Sequence, residues 1–118
     1  MKLIAVRVFA GDWERLCDFY EQMVALPLKF KDAAAGWAEF DVGGPSLAIE
    51  RVAENDSEGQ ALIGRFLGIS LRVMNISAAY RQLQVRGVEF LEPPEKQAWG
   101  GTLAHFRDPE GNVLTLVG

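Results

Sequence analysis

One order of patterned segments occurs twice in this chain, and that repeat narrows the fold more than any other feature. Residues 2–10 alternate and are rich in β-branched and aromatic side chains, which predicts a strand. Ala5, Arg7 and Phe9 share one side of it, and Val6 and Val8 the other. Asp12 is placed to cap a helix over Trp13–Val24, where Trp13, Leu16, Cys17, Phe19, Tyr20, Met23 and Val24 recur at helical spacing. Pro27 stops that helix, and three short strands follow at Leu28–Lys31, Trp37–Asp41 and Ser46–Arg51. A polar, acidic stretch at residues 53–61 then reads as a linker.

The second pass has the same order. Leu67–Met74 alternates, Asn75 caps a helix over Ile76–Arg86, and Gly87 is its C-terminal stop. Val88–Leu91 is a strand, broken by Glu92-Pro93-Pro94. Thr102–Arg107 and Asn112–Val117 then form a hairpin around Asp108-Pro109-Glu110-Gly111. Proline presets φ at the second turn position, and Gly111 takes the positive φ that a side chain resists. A shift of 63 residues lays Ala5 on Gly68, Val8 on Leu71 and Asp12 on Asn75, so both helix caps coincide. The expected fold is α+β in a single domain. Two βαβββ modules (about 1–52 and 66–118, joined by a linker at about 53–65) form a curved mixed sheet around a cleft, helices outside.

Composition removes several functions. The net charge is −4 and arginines are scattered singly, which argues against nucleic acid as a partner. Apolar runs fall far short of a membrane span. Gly43-Gly44 and Gly100-Gly101 open no helix, so neither is a phosphate loop. Met1–Ile4 shows no signal-peptide pattern, and the one cysteine, Cys17, cannot form an internal disulfide. A reducing cytoplasm is the expected compartment, and Cys17 the expected structural thiol.

The paired βαβββ plan, Asp12-Trp-Glu-Arg-Leu-Cys-Asp-Phe-Tyr20, and Phe106-Arg-Asp-Pro-Glu-Gly-Asn-Val-Leu114 resemble the vicinal oxygen chelate superfamily. That group includes glyoxalase I, bleomycin resistance proteins and extradiol dioxygenases. The resemblance covers essentially the whole chain and specifies a fold rather than a reaction. Metal-dependent members hold a divalent cation with four side chains from the opening and closing strands of each half. Carried over, those positions are Ala5, Glu50, Gly68 and Thr115, and only Glu50 is of a ligand type. A divalent ion needs several converging oxygen or imidazole donors. No metal or other cofactor is therefore expected.

Alternation nominates what lines the cleft instead: Arg7, Phe9, Glu50, Ser70, Arg72 and Thr115, with Trp37 and Trp99 as aromatic walls. Arg7 and Arg72 suit a planar carboxylate or phosphate-type anion, or one of them forms an internal ion pair with Glu50. His105, the only histidine, is a candidate general base or hydrogen-bond donor if its side of the strand faces the cleft. Three readings follow. The first is a metal-free protein that binds a small anionic or aromatic molecule, similar to bleomycin resistance proteins. The second is a glyoxalase-like lyase or isomerase, less readily a dioxygenase, with Glu50 or His105 as its catalytic group. The third is a dimeric interaction module with no small ligand. Folds of this type often dimerise, so a homodimer is expected.

Overall fold

The computed structural model describes all residues, Met1–Gly118. β1 (Ala5–Ala10), β2 (Leu28–Asp32), β3 (Trp37–Phe40) and β4 (Ser46–Arg51) form a sheet in the order β1-β4-β3-β2. β5 (Phe66–Arg72), β6 (Glu89–Phe90), β7 (Glu95–Lys96), β8 (Thr102–Arg107) and β9 (Val113–Val117) form a second sheet, β5-β9-β8-β6, with β7 also on β8. In each sheet the first strand of the module runs parallel to the last, and the other pairs are antiparallel. The two βαβββ modules are as expected. No ladder joins β1 to β5, however. Both are edge strands, and within one chain the halves make two sheets rather than one.

The helices follow from their caps. Asp12 accepts from the Arg15 N–H at 3.3 Å and starts α1 (Trp13–Asp18). Asn75 accepts from the Ala78 N–H at 3.0 Å and starts α3 (Ile76–Val85). In the predicted linker, Asp56 accepts from the Gly59 N–H at 3.0 Å and starts a one-turn helix, α2 (Ser57–Gln60). The linker thus contains a helical turn. Its Asp-Ser-Glu sequence carries a capping signal that its polarity obscures.

The first helix also departs from expectation. After Asp18 it widens into a π-helical turn over Phe19–Met23. The turn closes with the Leu26 N–H donating to the Tyr20 carbonyl at 3.0 Å, across Ala25 at φ +63°. A side chain in the left-handed region costs about 1–2 kcal/mol, and glycine avoids that cost at a helix C-terminus. Ala25→Gly is therefore expected to stabilise the fold by about 0.5–1 kcal/mol, read as a rise in the urea midpoint at constant slope.

Both sheets turn one face to the same core. Val8, Phe40, Leu47 and Ile49 from the first sheet and Ala104, Phe106, Leu114 and Leu116 from the second join Trp13, Leu16, Cys17, Phe19, Tyr20 and Leu83 in one cluster. Trp13 is core, as its spacing implied, and donates its indole N–H to the Ile49 carbonyl at 2.9 Å. Cys17 is buried, and that burial pushes its thiol up to about 11, too high for a nucleophile at neutral pH.

The hairpin turn clamps the modules together. Asp108 Oδ1 accepts from the Glu110 and Asn112 N–H groups, and Gly111 (φ +86°) closes the turn. Asp108 Oδ2 accepts from the Tyr20 hydroxyl at 2.8 Å and from Asn112 Nδ2 at 3.0 Å. The Glu110 carboxylate accepts from the Asp12 N–H, and Asn112 Nδ2 also donates to the Phe9 carbonyl at 3.4 Å. Each of these reaches from the second module into the first, or holds a group that does.

Candidate functional site

The faces turned away from the core carry the predicted site residues other than Trp99, and strand register arranges them in rows. On the first sheet Phe9, Glu50, Trp37 and Asp32 form one row across β1, β4, β3 and β2. Arg7, Ala48, Glu39 and Phe30 form the next. Ala48 is the small member of its row, flanked by Arg7 and Glu39. Arg7 donates to Glu50 at 3.0 Å, and its guanidinium lies 5.3 Å from the centre of the Phe9 ring. Of the two sequence alternatives for Arg7, the internal ion pair is the one present. Trp37 donates its indole N–H to Glu39 at 2.9 Å, which fixes the ring. That bond, with one from the Ser46 hydroxyl, holds the Glu39 carboxyl below its usual range.

On the second sheet Ser70, Thr115 and His105 form a row across β5, β9 and β8. Phe66, Val113, Arg107 and Glu89 form another, with Arg107 and Glu89 ion-paired at 2.6 Å. His105 Nδ1 lies 2.7 Å from Thr115 Oγ1, and Phe66 sets its ring edge-on to the imidazole at 5.7 Å. His105 therefore does face the open side, the condition on which its candidacy rested. Gly68 sits at φ +70°, where β5 shifts register between Phe66 and Ser70. Arg72 is exposed and makes no ion pair or side-chain hydrogen bond, so it is the uncommitted cation of the set.

Several expectations change. Glu50 stands opposite Phe9, whereas Ala5 stands opposite Ser46. Four residues of strand, roughly 13 Å, separate Glu50 from the position it was to share. The closing-strand neighbours of Ala5 and Arg7 are Ser46 and Ala48, so the first module offers no ligand-type side chain at that level. The residues present do not fit a divalent ion. Ala5 and Gly68 have no donor, Thr115 is committed to His105, and Glu50 is held by Arg7. No three histidine, cysteine or carboxylate side chains converge anywhere in the chain.

Arg72 lies on the second sheet and does not meet Glu50. Glu50 and His105, the two catalytic candidates, also lie on different sheets, and no side-chain bond or ring contact joins them. Thr115 is 3% exposed and Phe9 8% exposed, so neither offers surface of its own to a ligand. Trp99 is exposed in the turn between β7 and β8 with its ring against Gly101, where any side chain would collide with it.

Sequence reasoning missed Phe30 and Phe66, both exposed on the open faces. Their alternation with core residues was the available signal, but a bulge in β2 and the shift in β5 break it. A cavity of about 670 Å³ lies elsewhere, by the unpaired edges β1 and β5. Val6, Leu26, Ile69 and Leu71 wall it, with Arg72 and Arg86 among its few polar residues. It is an apolar gap at the module junction, and of the predicted set only Ser70 and Arg72 touch it.

Residues 2–116 match the sequence model of the Glyoxalase/Bleomycin resistance protein/Dioxygenase superfamily. A bleomycin resistance protein of Klebsiella pneumoniae is 29% identical over 113 residues, covering 90% of this chain and 83% of that one. A crystal structure of a superfamily member from Sphaerobacter thermophilus DSM 20745 superposes with a TM-score of 0.86 at 27% identity, over 99% of this chain and 96% of that one. TnmS3, an antibiotic binding protein from Streptomyces sp. CB03234, gives a TM-score of 0.76 at 28% identity, over 98% and 93%.

Proposed function

The chain belongs to the glyoxalase/bleomycin resistance/dioxygenase superfamily, and from that premise we propose that it binds a flat, anionic aromatic molecule without a metal ion. The observation that carries this reading is the commitment of the polar groups. Glu50, Glu39 and Thr115 are each engaged by a neighbour instead of converging on a point, while Trp37 and Phe66 present rings and Arg72 a free cation. A rigid aromatic surface with one unpaired guanidinium suits a planar anion. The bleomycin resistance protein and the antibiotic binding protein among its relatives support the binding class.

The cleft itself is assembled from two copies. The first sheet carries Glu39 and Asp32 where the second carries Arg72 and His105. β1 and β5 have free edges, and Leu3, Ile4, Phe66 and Met74 beside or within them are exposed. Unpaired edges flanked by apolar side chains favour pairing with a second chain. In the dimer the first sheet of one protomer faces the second sheet of its partner across the ligand.

Calorimetry with naphthalene-2-carboxylate tests the reading. Saturable binding is expected, unchanged by added Mn²⁺, Ni²⁺ or Zn²⁺. Trp37→Ala and Arg72→Ala should each weaken it roughly tenfold, the scale of losing an anchor worth about 1–2 kcal/mol. Light scattering should give twice the chain mass of 13.0 kDa. Binding that appears only with metal, or survives both substitutions, defeats the proposal. A monomeric mass defeats the two-copy cleft.

A further inference from the structure

The second open face holds a feature that bears on which molecules it accepts. Thr115 is 3% exposed, and its hydroxyl has one partner, His105 Nδ1, at 2.7 Å. A neutral imidazole carries its proton on one nitrogen and accepts on the other. If Nδ1 carried the proton, it would donate to Oγ1 and leave the Thr115 O–H buried without an acceptor. An unpartnered buried hydroxyl is costly. With Nδ1 bare, Thr115 donates to it and nothing is left over. The proton then resides on Nε2.

Nε2 makes no hydrogen bond within the chain, yet no buried side-chain nitrogen or oxygen lacks a partner. Nε2 is therefore open to the face. Phe66 sets its ring edge-on to the imidazole at 5.7 Å, which limits how the ring turns.

We infer that His105 is a specificity determinant: it is locked by Thr115 as the Nε2–H tautomer and presents a hydrogen-bond donor to the ligand. The face therefore selects flat molecules with a ring carbonyl or equivalent acceptor over the plain aromatic of the same shape. Arg72 lies on β5, two strands across and two residues along from His105, roughly 12 Å at the spacing of a sheet. That span suits a bicyclic ring with a carboxylate towards Arg72 and an acceptor towards His105. The inference rests on the proposed function for its ligand class, but the tautomer is a property of the free protein.

Two measurements test it. His105 is the only histidine, so its ring nitrogens give the only histidine signals in a long-range ¹H–¹⁵N spectrum of the protein. At about pH 8.5, where an imidazole is neutral, Nε2 should appear protonated and Nδ1 bare. Thr115→Val should erode that preference towards a mixture while the rest of the spectrum stays folded. The second measurement compares coumarin-3-carboxylate with naphthalene-2-carboxylate, two planar bicyclic carboxylates of which the first has a ring carbonyl. The coumarin should bind about five- to tenfold tighter, a ratio that falls towards unity in His105→Phe and is reduced in Thr115→Val. A protonated Nδ1 in the wild-type protein overturns the inference whatever the probes do. Equal affinity for the two probes overturns the donor role. If neither binds while the tautomer is as stated, the flat-anion reading of the site is what fails, and the acceptor preference fails with it.

Discussion

Phe106→Ala is expected to lose about 3–5 kcal/mol of stability, near the limit of what a domain of this size tolerates. Phe106 is fully buried on β8 and joins the modules through its neighbours. Its ring centre lies 6.4 Å from that of Phe19, on the π-helical turn of the first module, and 6.0 Å from that of Phe90 on β6. Truncation removes the aromatic surface and leaves a cavity that the surrounding core side chains relax into only in part. For a chain of this length the loss corresponds to a fall of roughly 12–20 °C in the melting temperature. Thermal denaturation at a fixed protein concentration reads it. Phe106→Leu, which keeps most of the volume, should lose less than half as much. Equal losses in the two variants would mean that the site relaxes and that the ring is not the bridge.

Asp108→Ala is the second large effect, at about 2–5 kcal/mol. It strips an acceptor from the Tyr20 hydroxyl and from Asn112 Nδ2, both on fully buried residues, and from two turn N–H groups. Tyr20→Phe removes a single bond and leaves the carboxylate its other donors, so its cost should be nearer 1 kcal/mol. The double variant should be less than additive, since both changes break the same contact.

The penalty should also depend on pH. Burial raises the Asp108 carboxyl above its usual value, outweighing the bonds from Asn112, Tyr20 and Glu110 that lower it. The folded state thus holds that proton more tightly than the unfolded one. The group's contribution is fully present below the unfolded value and is lost as pH rises through the folded one. Asp108→Ala should therefore destabilise the protein more in acid than at neutrality, as urea titrations at the two pH values would show. A penalty that grows with pH would contradict this account.

The same turn shows where sequence reading ends. Asp108-Pro109-Glu110-Gly111 was legible as a turn because its demands are local: a fixed φ at proline, a positive φ at Gly111. That its carboxylates reach into the other module was not legible. Tyr20 is 88 residues from Asp108, and nothing in either segment points to the other. The candidate site divides in the same way. Alternation correctly placed Arg7, Phe9 and Glu50 on one face, and Ser70 and Arg72 on one face of their strand. It did not reveal that the faces belong to separate sheets, or that Glu50 lies four residues from the level of Ala5.

Most elements and their inward sides thus follow from local chemistry alone, α2, the π-helical turn and β7 being the exceptions. Helix caps at Asp12 and Asn75, strand alternation and turn residues all act between residues a few positions apart, where single side-chain preferences decide the outcome. The tertiary structure alone decided register, and with it which side chains share a row. A period of two assigns a residue to a face but is indifferent to sliding by two. The sliding is settled by distant partners: Ile49 receiving the Trp13 indole N–H, Asn112 reaching the Phe9 carbonyl, Phe106 packing on Phe19. Those contacts place Thr115 beneath His105 and Glu50 against Arg7, and they leave Arg72 without a partner.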